Sequence, residues 1–559
     1  MANGFGGLYI GVSGLHNSQN AINTTSHNIT NVNTTGYTRQ QVVFSDAPYD
    51  TVGGNSINPI VSGLGVNVQE VRRCRDEFLD ASYRLEMGRL GFYESQYDVV
   101  NEVESQFGEL TGVKFQEIMT NLKSSVNELA LSPMNAVART SLVQSAVAFV
   151  DRAKEIRKSL SEYQQTLNTN IENMVADIND YAKKINALNK EILKIENGGE
   201  HANDLRDQRD ELLDSLGSLA KITYSEQRDG TVEVLLEGNT LVSTGMSFDI
   251  VLSPIEGTNL TKPVWEISGQ DVFEIRNDIA TGKNNDIGKL KGLLLARGEG
   301  LPTYEDIQGD SDKEYLERVI NKSILMKTVA NFDKLVNTLV EDINNVLCPE
   351  KEMTVTLEDG TTVTGSFLDM DKTSYGMDQD KTVGEELFKR TSTDRYKKVT
   401  GADGNTYYMR NNTNVFGNES KYTIANLEVN QVVLDDVGKI PLTSKTGEEE
   451  FTKTEELLDL WGTDKLIFDP STYAKENYET FYNSVIYDLA LTGELMKDMT
   501  AGEKSMTEGL DSRRQEVAGV SSDEELTNLI RFQNAYNASS RYITAVNEML
   551  EQLMNKLGG

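Results

Sequence analysis

The sequence predicts an α+β multidomain protein. Its core is a long α-helical coiled coil or bundle, formed by both termini and the adjacent long helices, and it carries distal β-rich inserted domains. Three observations lead there. Matching heptad stripes sit at the two ends of the chain. Between them, a run of roughly 60 residues keeps a 3-4 apolar spacing. In two internal stretches, near 221–300 and 350–475, the apolar period falls to two.

The N-terminal stripe places Leu8, Leu15, Ile22 and Ile29 seven apart, with Val12, Gln19 and Ser26 at the alternate positions. Such spacing turns one face of a helix toward a partner helix. The rest of this helix is polar but uncharged: Arg39 is the first Lys, Arg, Asp or Glu, and Asp46 the first acid, in a chain of formal net charge -33. Solvated helix faces usually carry Lys and Glu. An uncharged polar face tolerates crowding because no ion need be desolvated. Gly11 and Gly14 lower helix propensity, so the isolated segment is expected to be poorly ordered. The stretch NITNVNTTGYTRQ, Asn28 to Gln40, reads as a tight polar turn leaving that helix, with Gly36 able to take a positive φ.

The C-terminal stripe mirrors it. Leu529, Tyr536, Ile543, Leu550 and Leu557 lie seven apart, with Leu526, Gln533, Ser540, Asn547 and Met554 between them. Ser522 and Glu525 have capping-box spacing. Two such seams at opposite ends point to a terminal helix pair that assembles. Its candidate interface is Leu8, Val12, Leu15, Ile22 and Ile29 against Leu529, Tyr536, Ile543, Leu550 and Leu557.

Helices are expected over Glu77 to Phe107, through Phe78, Leu85, Phe92, Val99, Val103 and Phe107, and over Phe115 to Leu131. Ser132-Pro133 reads as an N-cap and first helical position, opening a rod whose stripe runs from Leu142 to Ile195 and ends at Gly198-Gly199. Asp204 to Ala220 makes a further helix. Strands then alternate through Ile222, Tyr224, Val232, Val234 and Leu241, with turns at Asp229-Gly230 and Gly238-Asn239. A helix over Tyr315 to Val346 and another beginning near Tyr478 complete the plan. The expected domains are 1–75 with 515–559 as a terminal helical assembly domain, 76–349 with 476–514 as a long-helix bundle bearing the β-rich portion near 221–300, and 350–475 as an inserted β-rich outer domain. The chain goes out through helices and returns, so its ends should lie together.

At 559 residues the chain has length for about three or four domains. Two cysteines, Cys74 and Cys348, cannot build a disulfide framework or a four-thiolate metal site. A pI near 4.6 argues against nucleic-acid partners, since no net positive field displaces phosphate counterions. No run of 18 apolar residues exists to span a membrane, and the N-terminus lacks the basic and apolar regions of a secretory signal. The expectation is a cytosolic protein, or one that leaves by a route that reads no cleaved signal.

No concentrated catalytic or metal site emerges, and no cofactor is expected. The histidines are His16, His27 and His201; residues 1–45 supply no carboxylate or cysteine for the first two, so both are read as polar packing. Residues 202–559 lack histidine, which removes HExxH and Ser-His-Asp arrangements there. Asp369 to Asp380 loosely follows a calcium loop but lacks its sixth-position glycine and closing Glu, so a solvated acidic loop is the reading. Ala280 to Asn285 has no Walker spacing. With 87 acids, paired carboxylates remain open, as do a cytosolic coiled-coil tether and an enzyme carried by the inserted domain.

Ser13 to Gln40 resembles the N-terminal signature of bacterial flagellar rod, hook and hook-associated axial proteins, a helix followed by N-I-x-N-x-N-T-x-G-[YF]. It is met here by Asn28, Ile29, Asn31, Asn33, Thr34, Gly36 and Tyr37, and Arg39 continues it as GYTRQ. That continuation is similar to the hook-associated members; rod and hook proteins more usually continue with Phe and Lys, and a rod or hook paralogue is the nearest alternative. Gly63 to Arg84, NDLRDQRDELLDSLGSLAKI (203–222) and Gly519 to Met554 resemble the same members, whereas 350–475 does not. The resemblance implies a structural, secreted protein of the extracellular flagellum at the hook–filament junction. It implies self-assembly into a ring at the distal end of the hook, with terminal helices paired in an inner tube. The implied neighbours are the hook protein FlgE and hook-associated protein 3 (FlgL), with an export chaperone, FlgN, before type III export and no membrane insertion.

Overall fold

The computed structural model describes residues 2–55, 58–108, 114–308, 312–391, 393–411, 421–469 and 472–557. Helix α1 (Ala2–Thr30) leads into two antiparallel ribbons: β1 (Gln40–Asp46) pairs with β4 (Val66–Arg73), and β2 (Tyr49–Asn55) pairs with β3 (Asn58–Gly63). The helical body begins with α2 (Glu77–Phe107). Asp76 caps it by accepting from Phe78 and Leu79 N–H, and Gly108 ends it at φ +70°. Phe78, expected on the apolar stripe, is instead 77% exposed in that first turn. Helix α3 (Phe115–Leu131) precedes α4 (Ala136–Glu196), a single helix of 61 residues, or roughly 90 Å. Its cap is Asn135, which accepts from Val137 N–H; the expected Ser132-Pro133 start is a turn before it. Helix α5 (Asn203–Leu219) follows and packs on α4.

The β-rich portion holds an antiparallel sheet of β5 (Ile222–Glu226), β6 (Val232–Leu236), β7 (Asn239–Ser243) and β8 (Met246–Ser247), in that order, and a ribbon of β9 (Ile250–Pro254) with β10 (Thr261–Trp265). Helix α6 (Lys289–Arg297) returns to the body. The helix expected over 315–346 is two pieces. A short α7 (Lys313–Tyr315) runs into a π-turn at Leu316–Ile320, and α8 (Ile324–Leu347) restarts because the Ser323 hydroxyl accepts from Met326 N–H while donating to Ala296 O at 2.9 Å.

Residues 350–475 contain a sheet ordered β11 (Glu350–Thr356), β12 (Thr362–Leu368), β15, β14, where β14 is Tyr396–Thr400 and β15 Thr406–Arg410. Strand β13 (Phe388–Arg390) pairs with β16 (Leu427–Val429), and α9 (Gln431–Asp435) and α10 (Phe451–Gly462) follow. The chain returns through α11 (Tyr478–Ala518) and ends in α12 (Ser522–Leu557), which packs along α1. The protein is thus α+β, with long helices at both termini and several small sheets. Among the described residues no helix is long and apolar enough to cross a membrane.

One apolar core runs through the body. At its centre Phe115 lies 4.9 Å from Phe332 and 5.4 Å from both Phe149 and Tyr482, joining α3, α4, α8 and α11 edge-to-face and tilted. Phe388 of β13 meets Phe149 at 6.4 Å, and Tyr422, Leu427 and Trp461 join the same cluster. The segment 350–475 therefore shares the bundle's core. Its acidic loop is neutralised locally: Lys351 lies 2.9 Å from Asp369 and 2.7 Å from Asp371, and Asp378 accepts from Thr382. Among the described residues no three His, Cys, Asp or Glu side chains converge on a metal-sized site.

Helices and sheets are joined by a repeated device. The Asn189 amide of α4 donates to Val232 O at 2.8 Å and accepts from Val232 N–H at 3.1 Å, completing a strand edge as a neighbouring strand would. Asn179 treats Ile250 alike, at 2.8 and 2.9 Å. Asn344 of α8 donates to Phe388 O at 2.7 Å and accepts from Leu387 and Phe388 N–H. Asn189 and Asn344 occupy buried helix positions, and Asn179 a half-buried one, because their partner is backbone that would otherwise stay unsatisfied. Asn344→Ala should leave two buried N–H groups orphaned and lower stability by at least about 2 kcal/mol, read as a shift of the urea midpoint. Where α11 crosses α2, burial and the neighbouring Glu86 carboxyl push Glu503 up to about 7. The folded state thus favours its protonated form. That stability is complete below the ordinary carboxylate range and is lost as pH rises through about 7. The melting temperature should fall over that interval, and Glu503→Gln should remove this component.

Candidate functional site

The signature residues build the corner where α1 ends and α12 begins. Asn28, in the last turns of α1, donates to Gln40 O at 2.9 Å and accepts from Gln40 N–H at 3.0 Å, the same clamp that α4 uses on its strands. Tyr37 donates to Asn28 Oδ1 at 2.8 Å, and its own oxygen lies 3.0 Å from His27 Nδ1. Burial and the carboxylates of Asp204, Asp207 and Glu525 raise the Tyr37 phenol's pKa, so it remains a donor. His27 Nε2 also lies 3.7 Å from Asp204 of α5, a carboxylate that no reading of residues 1–45 could supply. Asn31 donates to His27 O at 3.0 Å and accepts from Thr34, closing the turn; Asn33 is exposed. Gly36 takes φ +76°, and a β-carbon there would sit 3.5 Å from Glu211. His16 is exposed on α1.

Glu525, in the first turn of α12, is the node between the termini. It is 2% exposed; its Oε2 accepts from Asn28 at 3.0 Å and its Oε1 from Arg39 Nε at 2.8 Å. The expected capping box with Ser522 is therefore not what Glu525 makes: its carboxylate reaches across the chain, and Ser521 occupies the position before the helix. Arg39 also donates its backbone N–H to Ala518 O at 2.8 Å, fixing the bend between α11 and α12.

Below this node lies a closed ring of alternating charges. Asp210 accepts from Arg84 and Arg75, Arg84 also binds Asp214, Asp214 binds Arg514, Arg514 binds Asp80, and Asp80 binds Arg75, with separations of 2.6 to 3.2 Å. Arg73 joins Asp207 and Asp210 to it at 2.8 and 2.7 Å, and Thr38 N–H reaches Asp207 at 2.9 Å. Arg514 also stacks 4.1 Å above the Tyr83 ring. Burial alone would raise Asp210, but Arg75, Arg73 and Arg84 outweigh it and hold its carboxyl at about 2. The ring joins α2, α5 and α11 to the strand leaving β4. Sequence reasoning passed over these residues, although Asp207, Asp210 and Asp214 at 3-4 spacing on α5 were a legible signal.

Beyond the corner, α1 and α12 lie side by side. Leu529, Tyr536, Ile543 and Leu550 are half-buried on α12, with Phe532, Ser539 and Val546 alternating with them. Gln533, Ser540, Asn547 and Met554, expected to alternate, are exposed. The Leu557 side chain lies outside the described residues. On α1, Leu8, Leu15, Ile22 and Ile29 are half-buried and Val12 is 47% exposed. The residues seated directly on α12 stand one position earlier. β-Carbons at Gly7, Gly11 and Gly14 would lie 3.3 Å from Tyr542 Oη, 2.6 Å from Ile543 Cγ1 and 2.7 Å from Ser539 Oγ. Ser18, Ala21, Thr25 and Asn28 continue that buried line. Glycine lets the two backbones approach where any side chain would hold them apart.

Comparison with known proteins fits this geometry. Residues 8–38 match the family described as Flagella basal body rod protein, and residues 512–557 the family described as Flagellar basal body rod FlgEFG protein C-terminal. Paired terminal helices bearing these signatures define an axial protein of the bacterial flagellum. Residues 100–349 match Flagellar hook-associated protein FlgK helical domain. The chain is 24% identical to "Flagellar hook-associated protein 1" of Bacillus subtilis over 100% of this chain and 99% of that one. It is 25% identical to the protein of the same name in Salmonella typhimurium, over 97% and 98%. Over 11% of this chain and 16% of the other, it is 39% identical to "Flagellar hook protein FlgE" of Borreliella burgdorferi. The solved structure of the flagellar hook junction protein FlgK from Burkholderia pseudomallei shares the fold, with TM-score 0.51 and 12% identity over 78% of this chain and 100% of that chain. Over almost its whole length the chain is thus similar to hook-associated protein 1 (FlgK) of other bacteria.

Arg39→Ala and Glu525→Ala should each unfasten the first turn of α12, seen as faster amide exchange over residues 522–530 with the body unchanged. Their double-mutant coupling should be about 1–2 kcal/mol. Additive effects would show that Asn28, not Arg39, holds the buried carboxylate.

Proposed function

We propose that this chain is the structural axial protein of the hook–filament junction, required for filament attachment, and that it polymerises through its paired terminal helices after type III export. The observation that carries the reading is the α1–α12 pair. It leaves Tyr9, Ile10 and Val12 of α1 and Leu526, Ile530, Tyr542, Met549, Leu553 and Met554 of α12 exposed on a slender two-helix element. Apolar surface of that extent marks an association site.

Charge explains why the site lies here. Copies carrying a net -33 repel one another, so assembly needs surface where approach desolvates no ion. Residues 1–38, free of Lys, Arg, Asp and Glu, offer it. Each copy would present one flank of its helix pair to the other flank of the next, a head-to-tail contact that closes into a ring or winds into a helix. In this reading Leu8, Val12, Leu15, Ile22 and Ile29, with Leu529, Tyr536, Ile543, Leu550 and Leu557, form the wall of an inner tube. Hook protein FlgE lies on one side of the ring and FlgL on the other, and FlgN shields the C-terminal region before export. The protein acts outside the cell as a structural part rather than a catalyst. The domains at 76–349 with 476–514 and at 350–475 stand outward from that tube.

Immunogold labelling tests the placement: label should concentrate where hook meets filament, and label spread along the filament or confined to the cell would refute it. Gly11→Val and Ile543→Asp test the tube. The first drives a branched side chain into Ile543; the second puts an unpaired charge in the seam. Both proteins should fold and reach the medium at wild-type levels while attached filaments become rare. Wild-type filament number with the variant present at the junction would show that this seam does not mediate assembly.

A further inference from the structure

Away from the terminal helices, β9, β10, the loop 271–277 and α6 enclose a cavity of about 250 Å³. Ile255, Pro263, Phe273, Ile275 and Leu294 form apolar walls, Arg297 lies among them, and Lys262, Asp271, Glu274, Arg276, Asn277 and Glu299 make a polar rim. Arg297 is only 1% exposed. Its Nε donates to Gly298 O at 3.0 Å, and its Nη1 to Thr261 O at 2.9 Å and Asn168 Oδ1 at 2.5 Å. Its Nη2 has no hydrogen-bond partner among the described residues, and no carboxylate among them pairs with the guanidinium. Of the two acids it senses, Glu299 is held by Arg276 at 2.9 Å and Glu172 accepts from Asn168 and Thr261. Buried Arg84 differs: two aspartates raise its pKa, whereas burial without a counter-charge pulls Arg297 down to about 10.

A buried cation without an anion is unfavourable, and a guanidinium with a free donor is built to receive a carboxylate. The lining also defines which anion. Lys262 is paired with Asp271 at 2.7 Å and Arg276 with Glu299, while Glu274 of the rim is met only by the Asn277 amide, so the rim is net negative and disfavours dianions such as phosphate more strongly than a single carboxylate. The apolar walls favour a hydrocarbon group. At about 30 Å³ per water the space holds roughly eight waters, enough for one side-chain-sized group.

We propose that this cavity binds a small apolar monocarboxylate, its carboxylate on Arg297 and its hydrocarbon part against Phe273, Ile275 and Leu294. A free aliphatic or aromatic acid and the C-terminal residue of a peptide share this chemistry. The full-length chain is titrated with benzoate, hexanoate and N-acetyl-glycyl-leucine, each beside its carboxamide, by calorimetry and ligand-observed NMR. The acids should bind saturably and at least tenfold more tightly than their amides; the relative affinities of peptide and free acids identify the source. Arg297→Gln should abolish the acid preference. Ile275→Phe, which fills the cavity while leaving Arg297 in the chain, should abolish binding with an unchanged melting curve, and it decides the matter if Arg297→Gln fails to fold. Absence of saturable binding, equal affinity for acid and amide, or binding that survives Ile275→Phe would overturn the proposal.

Discussion

The geometry of this molecule depends on the ring of Arg75, Asp80, Arg514, Asp214, Arg84 and Asp210. Ion pairs of this kind add little net stability, since desolvation cancels most of the attraction, but an incomplete one is severely penalised. The ring therefore acts as an all-or-none fixture. Arg75 and Arg514 each span Asp80 of α2 and an aspartate of α5, and Arg84 of α2 grips two aspartates of α5, so the helices that supply them can meet in one arrangement only. An apolar joint would have tolerated sliding.

Glu525 extends this logic across the largest sequence separation of any hydrogen bond among the described residues. The carboxylate lies 497 positions from Asn28 and 486 from Arg39, yet both bonds close around it. The signature at the end of α1 is thus a receptor for the start of α12. Its polar residues have separate tasks: Asn28 completes a strand edge, Tyr37 orients Asn28, Gly36 permits the turn and Arg39 neutralises the buried acid. A chain whose ends are far apart in synthesis can complete its inner element only when both are present.

Much of the helical plan was legible because amphipathic periodicity is a local property. Helices α2 and α3 begin and end at the residues where the apolar stripes and flanking breakers place them. The start of α4 was misplaced by three residues because Asn135 outcompetes Ser132 as a cap. The terminal seams were half legible. Large apolar residues marked the right face of α12, but on α1 they flank a line of glycine, serine and alanine, which carries no hydrophobic signal even though it makes the closest contact. Of the ionic ring only the aspartate spacing on α5 was legible, and the asparagine clamps were not, since each partner looks like an ordinary solvated residue until the fold brings its counterpart close.

Helix α4 gains a mechanical property from its fastenings. A lone helix of that length bends and twists under thermal motion. Here Arg139 grips three carbonyls of the 437–440 turn at one end, Asn168, Asn179 and Asn189 bind successive strands along its length, and Glu196 is held by Arg206 at the other. A rod pinned at intervals to neighbours on several sides resists torsion as well as bending. Such a strut gives the body of the protein one stiff axis, running from the 437–440 turn to α5.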